Sequence, residues 1–576
     1  MKNDSIRTPK LEQMIKEHKQ YWAHIPTNNE EGREAELLED HTALVFQYAS
    51  KIIKEKEIQR CFRTMLEMIP VILSANTIQL IEEMFYSVFV FHDIGKINPN
   101  FQIERLHNDQ LKIEFSKEES KLLPSLSTKH SLLSSLIYIN YYRVKVAELE
   151  GKERKIARVF MYLNAYVIER HHSDLDSFER YLQRLNDTGV RVSDVMRVLA
   201  QSMLYDDWNL KEEYIEKDIR NITKYYESAI YNWTKEQQII LYTYTRLVYS
   251  LLLAGDYYAT FEYSTQREVK DIGNINDFKE FSKVYYSQQR YQRIEEYKKQ
   301  VENKGNITEN LAPINILRNE LFLEAENQLL NNLDYNIFYL EAPTGSGKSN
   351  TAMNLVYRLM ENNPTLHKVF MIYPYNTLVE QNKEILEEMY QNQSVLDKIA
   401  VVNSVTPIKQ TNHMRVSEDS NKKNAIVEEE SNAELYGIDL LNRQFLNYPF
   451  ILMSSVGLFD VIFGTKQSNV FSFQQLANSV IVLDEIQSYR NQIWNEMIQF
   501  FSVYSKILNI KVIIMSATLP DLNIFLEDKT LTKRLIIDRE KYFLSPVFKD
   551  RVQLNYELMN STDIENDLQV AVLDHI

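Results

Sequence analysis

Leu340–Glu341–Ala342–Pro343–Thr344–Gly345–Ser346–Gly347–Lys348–Ser349 is the stretch that decides the fold. The apolar run Ile337–Phe338–Tyr339–Leu340 precedes it, and a helical pattern from Thr351 to Leu359 follows. Strand, glycine loop and helix in this order are what a phosphate-binding loop requires. Gly345 and Gly347 allow main-chain N–H groups to close around phosphate oxygens, with Thr344 and Ser346 between and beside them. The start of the next helix adds its positive dipole end. Lys348 is expected to reach the outer phosphates and Ser349 to place a hydroxyl on Mg²⁺. Ala342 stands where such loops usually begin with glycine.

Working outward, 576 residues are too many for one core. At ~150 residues per domain the length predicts three or four. Glycine is scarce (12) and tyrosine abundant (36), which favours helices and packed aromatics over loop-rich β folds. Cys61 is the single cysteine, so an internal disulfide and a cysteine-based zinc cluster are excluded. A reducing, cytoplasmic setting fits. Met1–Lys2–Asn3–Asp4–Ser5 lacks the apolar core of a signal peptide. No run approaches the ~18 apolar residues of a membrane span, so no membrane partner is expected. The net charge of −15 argues against broad coating of nucleic acid but leaves room for a local basic channel.

Residues 1–260 read as mostly helix, with histidines at unusual places. His41 has Leu37, Leu38, Leu44 and Val45 at helical spacing around it, so it sits on a buried face. The run Met84–Phe91 ends in His92–Asp93–Ile94–Gly95–Lys96, with Gly95 expected as the helix C-cap. An imidazole beside a carboxylate suits Mn²⁺, Fe²⁺, Co²⁺, Ni²⁺ or Mg²⁺. Lys96, one turn on, is expected to neutralise a phosphate in a transition state. His130 opens a further helix, and a helix through Phe160 and Ile168 ends in Arg170–His171–His172–Ser173–Asp174. Asp256 lies inside the apolar pattern Tyr249–Tyr258, where an unpaired carboxylate is costly and must be paired, neutral or metal-bound. Leu106–Lys129 reads as a polar surface excursion, and Phe261–Asn310 as a polar, tyrosine-rich linker that is helical in places.

After the glycine loop, strands alternate with helices. Val369–Tyr373 and Ala400–Val405 are strands, Gln410–Ala433 a polar insertion, and Phe450–Met453 a strand ending in Ser454–Ser455. Ser479–Leu483 delivers Asp484 and Glu485 to its C-terminal edge, followed by Ile486–Gln487. Asp484 is expected to hold Mg²⁺ and Glu485 to orient the water that attacks the γ-phosphate of ATP. Val512–Met515 ends in Ser516–Ala517–Thr518, with Ser516 and Thr518 placed to couple nucleotide state to a bound strand. Asn315 and Arg318, upstream of the loop, read equally well as adenine contacts or as a plain helix cap.

The order His…His-Asp…Asp resembles the signature of the HD metal-dependent phosphohydrolase superfamily, matched by His41, His92, Asp93 and Asp256. His130, His171 and His172 resemble the extra ligands of members with two metals. That resemblance implies one ion on His41, His92, Asp93 and Asp256, and a second on His130, His171, His172 and Asp93, with Asp93 bridging. A single ion would also support hydrolysis. The set Ala342–Ser349, Asp484–Gln487 and Ser516–Thr518 looks like a superfamily 2 helicase. The two together resemble the CRISPR-associated helicase–nuclease of type I systems, the Cas-three family, over roughly residues 35 to 550.

The resemblance implies an all-α HD nuclease domain (1–260), a linker (261–310) and an α/β RecA-like helicase lobe (311–545). Residues 546–576 are expected to begin a second lobe that is truncated or carried by a separate polypeptide, since Leu554–Ile576 holds no arginine-rich motif. Weak ATP hydrolysis by this chain alone is the corresponding expectation. The implied activity is cleavage of single-stranded DNA with divalent metal, driven along by ATP and Mg²⁺ in the 3′–5′ direction. The implied partners are single-stranded DNA and the RNA-guided surveillance complex (Cascade). A nucleotide phosphohydrolase and a non-catalytic docking fragment are the alternatives.

Overall fold

The computed structural model describes residues 8–26, 33–111, 116–121, 129–186, 192–205, 208, 210–274, 278–303, 311–402, 437–526, 529–549, 565 and 568–569. The expected insertion at Gln410–Ala433 and nearly all of 546–576 beyond Lys549 lie outside the described residues.

The N-terminal half is helical. Its principal helices are α1 (Leu38–Glu55), α2 (Ala75–Phe91), α3 (Ser131–Glu148), α4 (Gly151–Arg170) and α5 (Lys235–Thr265). Long apolar stretches such as Met84–Phe91 and Leu247–Ala254 are buried all round, so these helices lie inside the bundle rather than on its surface. A capping box at Thr234 and Gln237 starts α5. Two glycines let elements approach closely. A Cβ on Gly255 would lie 2.9 Å from the Val45 carbonyl oxygen, so α5 touches the backbone of α1 only because that position is bare. A Cβ on Gly95 would lie 2.2 Å from the His130 carbonyl oxygen. Gly95 is therefore not the helix cap expected from sequence: α2 ends at Phe91 with His92 as its cap, and Gly95 makes room for the start of α3.

The second half is a seven-stranded, all-parallel sheet: β1 (Ile337–Glu341), β2 (Lys368–Tyr373), β3 (Ile399–Val402), β4 (Phe450–Ser454), β5 (Ser479–Leu483), β6 (Lys511–Ser516) and β7 (Thr532–Arg534). Their order is β3-β4-β2-β5-β6-β1-β7. The central strands are continuous apolar runs, as a sheet covered on both faces requires. Every strand read from sequence is present; residues 403–405 of the expected Ala400–Val405 lie outside the described residues.

Two differences stand out at the junction. Helix α5 continues to Thr265, past the expected boundary at 260. The stretch read as a linker forms helices Phe278–Tyr286 and Gln289–Glu302, whose Phe281, Tyr285, Tyr291 and Ile294 bury in the sheet-side core. Its polarity belongs to the outer faces, while the aromatic residues carry the packing. The helical half and the sheet half share an apolar core in which α5 packs on Trp494–Ile507. Arg246 Nη2 donates to the Val461 carbonyl at 2.8 Å and Ser250 Oγ to that of Phe471 at 2.8 Å across this seam. Among the described residues, no helix is long and apolar enough to cross a membrane.

Candidate metal centre and nucleotide loop

The seven histidine and aspartate side chains singled out from sequence converge at one place. His41 comes from the first turn of α1 and Asp256 from α5; His92 caps α2, His130 precedes α3, and His171 caps α4. Asp93 sits at the centre, fully buried, and its two oxygens face two different sets. Oδ2 lies 3.5 Å from His41 Nε2 and 3.5 Å from His92 Nε2. His41 Nε2 is also 3.3 Å from Asp256 Oδ1. Oδ1 lies 3.0 Å from His130 Nε2 and 3.3 Å from His171 Nε2. His172 Nε2 is 3.0 Å from His130 Nε2, and its ring is on the exposed side.

Ring orientation is fixed locally. His92 Nδ1 donates to the Phe89 carbonyl at 3.0 Å, and His171 Nδ1 to that of Ile168 at 2.7 Å. Both rings therefore present Nε2 as a lone pair toward Asp93. His41 Nε2, His92 Nε2, His171 Nε2 and both Asp93 oxygens are buried and, despite the ion-pair distances, form no hydrogen bond of ordinary geometry. Leaving such atoms unsatisfied costs about 1–3 kcal/mol each. A divalent cation would satisfy them, and imidazole nitrogen with carboxylate oxygen is a donor set for Mn²⁺, Fe²⁺, Co²⁺, Ni²⁺ or Mg²⁺. The residues present fit a metal on each side of Asp93: His41, His92 and Asp256 on one, His130, His171 and His172 on the other.

The charges follow from burial and neighbours. Burial holds His92 neutral, with its pKa down at about 4. Burial and then the His171 charge hold His172 down at about 2. Burial also lowers His130, against the pull of Asp93. These three are ready as neutral ligands. For His41, burial is outweighed by Asp256 and Glu36, which raise it to about 9. Burial opposes the ionisation of Asp93, but Lys96, His92 and His130 hold it well below the usual carboxylate range.

Lys96 faces the centre of the site. It is 3% exposed, with Nζ 2.7 Å from Asp93 Oδ2 and 3.1 Å from the Ala23 carbonyl. Its charge acts inward, on the central carboxylate. Sequence reasoning also missed His24 and Glu36. Strands Trp22–His24 and Glu36–Leu37 pair and place Glu36 Oε2 3.3 Å from His41 Nδ1 and 2.7 Å from His24 Nδ1. Glu36 thus orients His41 from behind, as carboxylates commonly do for metal-bound imidazoles. The one local signal was the short step from Glu36 to His41.

The glycine loop lies at the C-terminal edge of the sheet, after β1. Gly345 and Gly347 have φ of 77° and 94°, and α-helix Lys348–Asn362 starts directly after. Lys348 Nζ donates to the carbonyls of Ala342 at 3.0 Å and Pro343 at 3.3 Å, inside the loop that phosphates would fill. Ser346 is buried with its hydroxyl unpartnered, while Thr344 and Ser349 lie on the exposed side. Arg318 donates twice to the Gly345 carbonyl, at 2.8 and 3.0 Å, and so braces the loop. Asp484 follows β5; burial and then the Glu485 charge raise its pKa to about 6. Glu485 Oε2 accepts from Gln487 Nε2, Gln487 Oε1 accepts from Ser516 Oγ at 2.5 Å, and Ser516 Oγ accepts from Thr518 N at 3.0 Å. The chain of bonds joins the strand ends of β5 and β6.

Residues 322–525 match the family model of DEAD/DEAH box helicases. Over 208 residues, 35% of this chain, the sequence is 24% identical to the CRISPR-associated nuclease/helicase Cas3 of Haloferax volcanii, covering 21% of that protein. The match thus covers about a fifth of the length of that relative. The crystal structure of T. fusca Cas3-ATP aligns with 88% of this chain and 51% of its own, at 13% identity and a TM-score of 0.48. T. fusca Cas3-ADP aligns with 87% and 50%, at 14% identity and a TM-score of 0.45. Residues 322–525 thus carry a DEAD/DEAH box helicase domain, and about a third of the chain is similar in sequence to a CRISPR-associated nuclease/helicase.

Proposed function

We propose that the helical half is an HD-type metal-dependent nuclease acting on single-stranded DNA, and that the sheet half is a RecA-like motor lobe binding ATP and Mg²⁺. The observation that carries the reading is the division of Asp93, one oxygen toward His41 and His92, the other toward His130 and His171. Seven ligand side chains from five helices, arranged around one carboxylate with unsatisfied buried atoms, are costly unless they hold cations. Bound divalent ions supply a hydroxide nucleophile at neutral pH and brace the oxygens of a phosphodiester. The chain's own part is to fix the ligands: Asp93 joins the two halves, Phe89 and Ile168 set the His92 and His171 tautomers, and Glu36 orients His41. Lys96 holds the Asp93 carboxylate ionised.

In the motor lobe, Gly345, Gly347 and Lys348 cradle phosphates, Ser349 and Asp484 hold Mg²⁺, and Glu485 orients water. The bonds through Gln487 to Ser516 and Thr518 relate nucleotide state to a strand moving 3′–5′ over the sheet edge. Similarity to Cas3 supports a place in CRISPR defence, in the cytoplasm, with Cascade as partner.

Offering one protein sample circular single-stranded DNA and free dNTPs in parallel, with Mn²⁺ or Co²⁺, tests the substrate. Consumption of the circle supports the nuclease. Consumption of dNTPs alone would make the helical half a nucleotide phosphohydrolase, and consumption of neither would leave a docking fragment.

A further inference from the structure

We infer that Gln467, a residue of the motor lobe, is a positioning residue for the His130/His171/His172 half of the metal centre. The inference rests on the metal reading proposed above. Gln467 Nε2 donates to the His171 main-chain carbonyl at 2.7 Å. Its own main-chain N–H donates to Asp174 Oδ1 at 2.8 Å. Two residues earlier, the Thr465 carbonyl accepts from Leu175 N at 2.9 Å. Three bonds from residues 465–467 therefore hold the turn 171–175, which carries two of the three histidines on that side.

The turn needs this support. His171 caps α4, where the carbonyls of the last turn have no partner within the helix. The inward side of the turn is fixed by His171 Nδ1 on Ile168 and by Tyr249 Oη, which donates to the Ser173 carbonyl at 2.6 Å. The outward side is fixed by Gln467 and Thr465. Without them, the His171 main chain loses its outward restraint, and the turn that carries His172 keeps the bonds from Tyr249 and Arg170.

The supporting segment is itself anchored at the nucleotide sheet. Helix α6 (Ser455–Phe463) begins at Ser454, the last residue of β4, and ends at Gly464. A Cβ on Gly464 would lie 2.5 Å from the Asp460 carbonyl, so the sharp exit to Thr465 depends on glycine there. At its far end, the Val461 carbonyl accepts from Arg246 and that of Ile462 from Tyr242 Oη, both at 2.8 Å, and Arg246 and Tyr242 belong to α5, which carries Asp256. This helix, about 13 Å long at 1.5 Å per residue, thus links the end of β4 to Tyr242 and Arg246 of α5 and, through residues 464–467, to the His171 turn.

The test is a Co²⁺ titration of the whole chain, read by visible absorption and by calorimetry, for wild type, Gln467→Met, Gln467→Met/Asp174→Ala and His172→Ala. Methionine keeps the volume of a half-buried side chain and removes the donor. His172→Ala identifies which binding event belongs to the affected half. We expect Gln467→Met to weaken that event about 10-fold, at the low end for loss of a supporting contact, and to shift its absorption band. The other event should stay within about 2-fold, with the metal-free unfolding midpoint unchanged, and the double variant should weaken the affected event further. Two unchanged events, or equal weakening of both with a lowered midpoint, would overturn the inference. No Co²⁺ event in wild type would instead sink the metal reading on which it rests.

Discussion

Lys96→Met offers a sharp stability test, because it removes a buried ammonium in direct contact with the carboxylate that both ligand sets share. Nζ and Asp93 Oδ2 are 2.7 Å apart, and the two residues are 3% and 0% exposed. At that distance and an effective dielectric of about 20, the attraction is about 6 kcal/mol before the cost of desolvating the ammonium. Removing one partner of such a pair typically costs about 3–5 kcal/mol, because the other charge is stranded. The Ala23 carbonyl loses its donor as well. In EDTA, urea unfolding should therefore show Lys96→Met less stable than wild type by about 3–5 kcal/mol. Saturating Mn²⁺ supplies positive charge to the same carboxylate, so the difference should shrink by more than half. A loss under about 1 kcal/mol in EDTA, or one that Mn²⁺ leaves untouched, would refute the idea that Lys96 serves Asp93.

Three further predictions concern the motor lobe and its seam with the helices. Burial lowers the Lys56 ammonium to about 7, against the weaker opposite pull of Glu55 and Asp271, and Lys56 shares the Gln475 Oε1 acceptor with buried Lys368. The unfolded chain binds the extra proton above that value, so stability should rise between pH 7 and about 10, by up to about 1.4 kcal/mol per unit; in Lys56→Met the rise, measured by urea unfolding, should be reduced. Lys348→Ala should weaken binding of a fluorescent ATP analogue with Mg²⁺ by about 10- to 150-fold, the worth of one charge-assisted phosphate contact, and an unchanged affinity would remove Lys348 from the phosphate site. Gln487→Ala cuts the link between Glu485 and Ser516; nucleotide affinity should hold while the effect of ATP on single-strand affinity falls by about 1 kcal/mol, and unaltered coupling would show that the bonds through Gln487 are only structural.

The parts legible in the sequence are those set by local pattern. Asp484 was readable because an apolar strand must end where its first charge appears, and Lys348 because a glycine loop between strand and helix has few other uses. His41 was readable as buried from its i±3 and i±4 neighbours alone. Contacts across the chain were not. His24 and Glu36 meet only because a short ribbon pairs over the intervening residues, and no periodicity encodes that register. Gly95 looked like a cap because it follows an apolar helix, yet its role is set by the His130 backbone 35 residues on. The expectation for Lys96 was a phosphate contact; its ion pair with Asp93 joins residues three apart and was not part of it. The burial of 278–302 was hidden by its composition, since tyrosine can bury its ring while its hydroxyl stays polar.

The central claim is that Asp93 joins two halves of a metal centre that cuts single-stranded DNA. The most direct measurement is nicking of circular single-stranded DNA with Mn²⁺, Co²⁺, Ni²⁺ or Mg²⁺ in the absence of ATP, for wild type and Asp93→Ala. The account predicts metal-dependent cutting by wild type that disappears in EDTA and in a folded Asp93→Ala variant. Cutting that survives in Asp93→Ala, or no cutting by wild type with any of the four metals, would contradict it.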